Sequence, residues 1–358
     1  MKKYVALDVD SANIVAGVYD YLGRLIMKTH LRLEAKVIKE FFKMLSGTVH
    51  VTFEEGTQAA WLYELIEPLV AEVVVCNPRE NKLLKAGNKS DHIDVGKLAK
   101  LLRLGDLKSV YQGPRCSQGL KQLVHSYDAL VADTTRTKNR LKAVYRGRGV
   151  STKGEGIYGR GQREQWLDKL ATREQRTRAQ SLFAQLDYEE QLGKRAATVM
   201  CQEARKNPGY QWIISAPGLG RIRTAQILAT AITPHRFRGK RQFWPYCGLA
   251  VVTRSSGDYE WDENGTRRKR KPIQTRGLNP NHNRTMKAVF KGAAASAILQ
   301  HAEVKEYYQR LIGTGMRAEM AQLTVARKLA AIVLTLWKKG ELYDPKRLNQ
   351  AAPGAGPQ

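Results

Sequence analysis

The first hundred residues read as three consecutive strands followed by alternating helices and strands, and few folds satisfy that order. "YVALDVD" (4–10) is rich in β formers, "NIVAGVYD" (13–20) alternates apolar and polar residues, and "LIMKTHLRL" (25–33) follows the turn-like "YLGR". Next come a helix pattern, "AKVIKEFFKML" (35–45), a strand, "HVTFEE" (50–55), a helix, "AAWLYELIEPLV" (59–70), and a buried strand, "EVVVCN" (72–77). "KSDHIDVGKLAKLLRLG" (89–105) continues as a helix. A meander that passes into alternating units implies an α/β fold with a mixed sheet flanked by helices.

From about residue 118 to 206 the strand signals fade. Long stretches with helical periodicity and dense Arg and Lys predict amphipathic helices arranged like a coiled-coil arm, interrupted by the Gly-rich loop "GRGVSTKGEGIYGRGQ" (147–162). A third region holds "WIISAPGLGRIRTAQILATAI" (212–232), "FWPYCGLAVVTRSSGDYEW" (243–261), the basic run "TRRKRKPIQTRG" (266–277) and helix patterns over 284–302 and 317–340. It is expected to be mostly helical, and "NQAAPGAGPQ" to be a tail. The predicted domains are 1–112, 113–207 and 208–345, with a flexible tail at 346–358.

Charge points to the partner. The 358 residues carry 60 Lys and Arg against 33 Asp and Glu, a net charge of +27 spread along the chain. Such a chain gains sequence-independent affinity for nucleic acid by counterion release. The four cysteines, Cys76, Cys116, Cys201 and Cys247, are scattered without a CxxC pair, so neither a zinc site nor a disulfide framework is expected. "MKKYVALDVD" enters a strand directly and is not read as a signal peptide. The apolar run "AAIVLTLW" is far shorter than a membrane span. A cytoplasmic protein without a membrane partner is expected.

Against this basic background four acids stand out. Asp8 falls at the end of the first apolar strand, and Glu54 or Glu55 at the end of "HVTFEE". Strand alternation lets only one of those two glutamates face a given site. Asp91 and Asp94 share one face of a predicted helix, where like charges repel unless something neutralises them. Clustered carboxylates hold hard divalent cations, which stabilise the charge of phosphoryl transfer. The ordinary structural roles for such residues are a turn, a cap or a solvated helix face, but the order Asp, Glu, Asp, Asp in this setting favours a metal site.

These stretches resemble the DEDD transposases of bacterial insertion sequences. In the first region the likeness is carried by "ALDVD" (6–10), "EEGTQAAWLYELI" (54–66), "VVVCNPR" (73–79) and "KSDHIDVGKLAKLL" (89–102). In the third it is carried by "ISAPGLGRIRTAQILA" (214–229), "FWPYCGLAVVTRSSG" (243–257) and "TRGLNPNHNRTMKAVFKGAAASA" (275–297). The resemblance implies a RuvC-like, ribonuclease-H-type first domain with Asp8, Glu55, Asp91 and Asp94 as its metal-binding catalytic acids, and Mg²⁺ or Mn²⁺ as cofactor. Glu55 is chosen over Glu54 because "EGTQ" matches the family's Glu-x-Thr-x pattern. It implies a serine nucleophile, Ser256, in the "SG" element of a C-terminal transposase domain. It also implies strand cleavage, exchange and rejoining through a serine–DNA intermediate, on donor and target DNA, guided by a structured bridge RNA. The family works as dimers that assemble into tetramers. The chain departs from the pattern at Val251, where the family often has proline, in the longer "TRGLNPNHNR", and in offering Ser255 beside Ser256.

A serine hydroxyl is a weak nucleophile until its surroundings activate it. Arg254, beside Ser256, and the cluster Arg267, Arg268, Lys269, Arg270 and Lys271 are expected to hold the scissile phosphate. "APGLGRIRTAQILA" (216–229) is similar to a helix-hairpin-helix grip, with Gly218 and Gly220 opening a helix toward phosphate. Arg136, Lys138, Arg140, Lys142, Arg146 and Arg148 recur around Tyr145 as contacts to RNA or DNA backbone. Trp244 and Tyr246 are expected in the core. Two rivals remain: a RuvC-like nuclease or junction resolvase using metal-activated water, and a non-catalytic basic nucleic-acid-binding protein.

Overall fold

A computed structural model describes residues 1–78, 91–113, 116–154, 156–254, 259–261, 265–269, 275–278 and 281–349. The chain divides into two compact units, Met1–Arg115 and Cys116–Gln358.

The first unit is built on a five-stranded mixed sheet in the order β3-β2-β1-β4-β5. Its strands are β1 (Lys2–Val9), β2 (Asn13–Asp20), β3 (Leu25–Arg32), β4 (Thr48–Glu54) and β5 (Glu72–Cys76). The first three form an antiparallel meander, whereas β4 runs parallel to both β1 and β5. Asp20 shapes the β2–β3 turn. Its Oδ1 accepts from the amides of Leu22 and Arg24, each at 2.9 Å, and Gly23 supplies the left-handed residue at φ 86°.

Alternation sorts the two faces of the sheet. Val5, Leu7, Val49, Val51 and Phe53 join a core with Ile38, Phe41 and Phe42 of α1 (Ala35–Met44) and Leu62 and Ile66 of α2 (Ala59–Ile66). Burying each of these large side chains is worth about 1.5–3 kcal/mol. On the opposite face, Ala6 and Cys76 pack with Val95, Leu98 and Ala99 of α3 (Asp91–Leu104). This α/β arrangement is consistent with a ribonuclease-H-like fold.

The second unit is dominated by two long helices, α4 (Cys116–Arg146) and α6 (Arg173–Arg205), which pack along each other as an antiparallel hairpin. At its far end Leu141 and Tyr145 pack with Phe183 and Leu186, and with Leu167 of α5 (Arg163–Leu167). The loop expected at 147–162 contains two short 3-10 turns, Gly156–Tyr158 and Arg160–Gln162.

At the other end the hairpin joins a large core. It is formed with α7 (Tyr210–Ile214), α8 (Arg221–Ala231), α9 (Lys240–Tyr246), α10 (Arg284–Gln300), α11 (Ala302–Gly313) and α12 (Ala318–Lys339). Two small antiparallel β pieces, β6 (Val251–Arg254) with β9 (Thr275–Leu278) and β7 (Tyr259–Trp261) with β8 (Arg267–Lys269), separate α9 from α10. The "AAIVLTLW" run belongs to α12. By length and composition this helix is apolar enough to cross a membrane, yet Leu329, Ile332, Val333, Leu334 and Leu336 are buried in the core. Trp244 and Tyr246 pack against that core, as expected, and donate to the carbonyls of Arg327 and Thr230, each at 3.0 Å.

Candidate functional site

The C-terminal ends of β1 and β4 lie side by side, with Leu7 paired to Phe53. The next residue along each strand is an acid, Asp8 and Glu54. Both are half-buried, and both line a cavity of about 160 Å³ with Glu55, Gln58 and Leu62. Alternation puts Asp8 on the face of Ala6, and Glu54 on the face of Thr52, away from the Leu7–Phe53 core. That is the face against which α3 packs, whereas the cavity opens at the strand ends beside Leu7, Phe53 and Leu62 on the α2 side.

Glu55 lies one residue beyond β4. It is exposed, and its amide donates to the Cys76 carbonyl at 2.9 Å, which ends the strand pairing. The sequence pattern therefore points to Glu55, while the register puts Glu54 on Asp8's side of the sheet. No sequence motif separates the two, because the difference resides in the β1–β4 pairing.

Asp91 and Asp94 open α3, with their side chains outside the described residues. Among the described residues no three His, Cys, Asp or Glu side chains cluster tightly enough to hold a metal. The donor type at the strand ends, carboxylate oxygen from Asp8, Glu54 and Glu55 without His or Cys, is the type that a hard divalent cation such as Mg²⁺ or Mn²⁺ takes. Cys76 is nearby in register with Glu54 but buried, its thiol directed to the Phe53 carbonyl at 3.4 Å.

Ser255, Ser256, Arg270 and Lys271 lie outside the described residues. The side chains of Arg254 on β6, and of Arg267, Arg268 and Lys269 on β8, are outside them too.

The basic residues of the hairpin divide by what they touch. Arg136 pairs with Asp133, Lys138 lies 3.3 Å from Glu190, and Arg146 donates to Thr152 Oγ1 at 2.9 Å. Lys138 and Lys142 both sit 5.1 Å from the centre of the Tyr158 ring, a cation–π arrangement. Arg140 and Arg148 are exposed. Tyr145, around which these cations recur in the sequence, is fully buried core, edge-on to Trp166, and burial pushes its phenol up to about 12.

Gly218 and Gly220 differ in the same way. Gly218 is left-handed at φ 72°, and a side chain there would run into the Ala293 carbonyl of α10. Gly220 caps α8 with open space where a Cβ would stand.

The strongly basic charge, the mixed sheet of ribonuclease-H-like order and the neighbouring strand-end acids fit an enzyme that acts on nucleic acid. Residues 5–147 match the family model of the DEDD-type IS110 transposase, and residues 210–309 match that of the transposase IS116/IS110/IS902 family. The two matches show IS110-family transposase domains, and the chain is a DNA transposase. No curated protein matches it.

Proposed function

We propose that the chain is an RNA-guided transposase that cleaves, exchanges and rejoins DNA strands through a covalent serine–DNA intermediate. The observation that carries the metal half of this reading is the placement of Asp8 and Glu54 just beyond the paired residues Leu7 and Phe53, at neighbouring ends of two parallel strands. Asp8, Asp91, Asp94 and a strand-end glutamate hold the cation. Glu55 answers the family-like pattern, but the sheet register supports Glu54 as that ligand and Glu55 as an acid at the rim. A divalent cation bound there supplies charge stabilisation for the phosphoryl oxygens and the leaving oxygen.

Ser256 Oγ attacks the scissile phosphorus, forming a serine–phosphate ester as the strand's own P–O bond breaks and the leaving oxygen takes a proton. Rejoining is the reverse, with a different strand's hydroxyl displacing Ser256. Arg254 and the basic run of Arg267, Arg268, Lys269, Arg270 and Lys271 hold the phosphate. The exposed basic residues of the hairpin, with Gly220 at the start of α8, grip nucleic-acid backbone. The partners are donor DNA, target DNA and a structured bridge RNA, engaged by dimers that assemble into a tetramer. The setting is the bacterial cytoplasm, at the nucleoid.

The test is strand transfer between donor and target DNA with Mg²⁺ and the copurified RNA. Asp8→Asn should abolish cleavage, and Ser256→Ala should abolish the protein–DNA adduct while Ser255→Ala retains it. Cleavage without any adduct would overturn the serine chemistry in favour of a RuvC-like nuclease. Full activity in Asp8→Asn would overturn the metal site. Sequencing the copurified nucleic acid should give one discrete structured RNA.

A further inference from the structure

Three helices of the second unit, α4, α6 and α8, line a cavity of about 660 Å³, of which the function above uses only Gly220. Its volume falls in the range of small-ligand sites. Its walls differ in character. From α4 come Tyr127, half-buried against the core, and Asp128. Arg205 of α6 and Arg221 of α8 line another side, both exposed and without an ion-pair partner among the described residues. Gln226, one turn further along α8, completes the polar set.

The polar groups have a definite sense. Gln226 Nε2 donates to Asp128 Oδ1 at 2.7 Å. With that amide hydrogen committed, the pair retains two acceptors, the amide oxygen and the second carboxylate oxygen, beside the other amide hydrogen. A ligand that meets them must bring two donors. Arg205, Arg221 and Cys201 all line this cavity, so both guanidiniums border the same space. Beside them, the first amides of α8 have no acceptor within the helix, and Gly220 leaves them uncovered by any side chain. Arg223, which also lines the cavity, is engaged elsewhere. Its NH1 donates to the Gly218 carbonyl at 2.8 Å and to Ser296 Oγ at 3.0 Å, which holds the turn in shape.

An aromatic surface, a double-acceptor pair and a cationic rim match the three parts of a nucleotide. Among the bases, guanine presents two neighbouring donors on its pairing edge, the ring N1–H and the N2 amine; adenine, cytosine and uracil each interpose an acceptor. We propose that this cavity receives a single unpaired guanine nucleotide, its base beside Tyr127 with the edge donated to Asp128 and Gln226, and its phosphate at Arg205 and Arg221. The inference deepens the reading of the chain as a nucleic-acid enzyme and rests on it. The nucleotide belongs to a guide RNA or to a DNA strand with the same base chemistry.

Saturation-transfer NMR titrations of the full chain with GMP, AMP, CMP, UMP and dGMP test the assignment. GMP is expected to bind at least about fivefold more tightly than the other ribonucleotides, in line with the discrimination a double hydrogen bond supplies. Arg221→Ala should weaken every nucleotide, and Asp128→Asn should remove the guanine preference, with melting temperatures unchanged in both. A preference for GMP over dGMP assigns the site to RNA; equal or tighter dGMP assigns it to DNA. No saturation transfer, equal binding of all bases, or indifference to Arg221→Ala would overturn the proposal. Strand transfer measured on the same preparation reads the transposase function separately, so either can fail alone.

Discussion

Gly17 of β2 and Val95 of α3 are in direct contact: a Cβ on Gly17 would stand 2.5 Å from Val95 Cγ1. The glycine lets the helix that begins with Asp91 and Asp94 lie close on the sheet that carries Asp8. Overpacking a fitted interface costs about 1–3 kcal/mol, so Gly17→Ala should lower stability by that order. Because the shift falls on the helix that brings two of the proposed ligands, cleavage at a permissive temperature should fall as well. Thermal melting and a strand-cleavage assay on the same variant check both effects.

The sheet register predicts different fates for adjacent glutamates. Glu54→Gln should reduce Mg²⁺-dependent cleavage by about 10–100-fold, the loss that removing a group from a metal site commonly brings. Glu55→Gln should retain most of it. A dead Glu55→Gln beside an active Glu54→Gln would return the role to the Glu-x-Thr pattern.

Thr137 and Glu189 join the two long helices inside their interface. Thr137 Oγ1 donates to Glu189 Oε1 at 3.0 Å, Gln185 adds a bond at 2.8 Å, and Glu189 is only 8% exposed. Its Oε2 has no hydrogen-bond partner among the described residues. Thr137→Val should cost about 1–3 kcal/mol by stripping the buried carboxylate of a donor. The Thr137→Val/Glu189→Leu double variant should be more stable than the single one in denaturant melts, since removing both partners also removes the buried charge.

Asp187 at the far end of the hairpin accepts from Arg163 NH1 at 2.7 Å and NH2 at 2.6 Å, and from Arg160 Nε at 3.1 Å. The hydrogen bonds from Arg163 hold its carboxyl below the usual value. A depressed carboxylate stabilises the fold above its unfolded pKa, and that contribution is lost as pH falls through the folded value. Melting temperature should therefore drop as pH falls below about 4, the ordinary carboxylate range. In Asp187→Asn the part of that drop due to this site should vanish.

Gly218 and Gly220 should respond oppositely to alanine. Gly218→Ala meets a left-handed backbone and the Ala293 carbonyl together, and should destabilise the second unit by at least about 2 kcal/mol. Gly220→Ala has open space and should melt like the parent protein. Differential scanning fluorimetry separates them.

The strands of the first unit were readable to within two residues of their ends, because apolar alternation and turn residues are local signals. "YLGR" marked the β2–β3 turn, and "EVVVCN" the strand that became Glu72–Cys76. The choice between Glu54 and Glu55 was not readable, since it depends on pairing between strands as far apart in sequence as Leu7 and Phe53. The long helices of the hairpin were legible as amphipathic, but not the pairing of Lys138 with Glu190 or the burial of Tyr145, both set by the facing helix or the returning chain. Gly218 read as a phosphate grip because its turn has that composition; the carbonyl at its back comes from α10, far along the chain. The short strands β6–β9 were missed within a region read as helical. The cavity around Tyr127 and Gln226 was missed because its lining comes from three separate helices.

The buried Thr137–Glu189 bond has a mechanical consequence. It opposes sliding of one long helix past the other, while the continuous helices set the length of the hairpin. Tyr127, at the cavity, and Tyr145, in the far-end core, stand eighteen residues apart on one continuous helix, about 27 Å at the helical rise. That equals about eight nucleotide steps of a stacked strand. A nucleic acid touching both ends of the hairpin would be measured against a protein ruler, and its spacing, more than its sequence, would decide whether both contacts form.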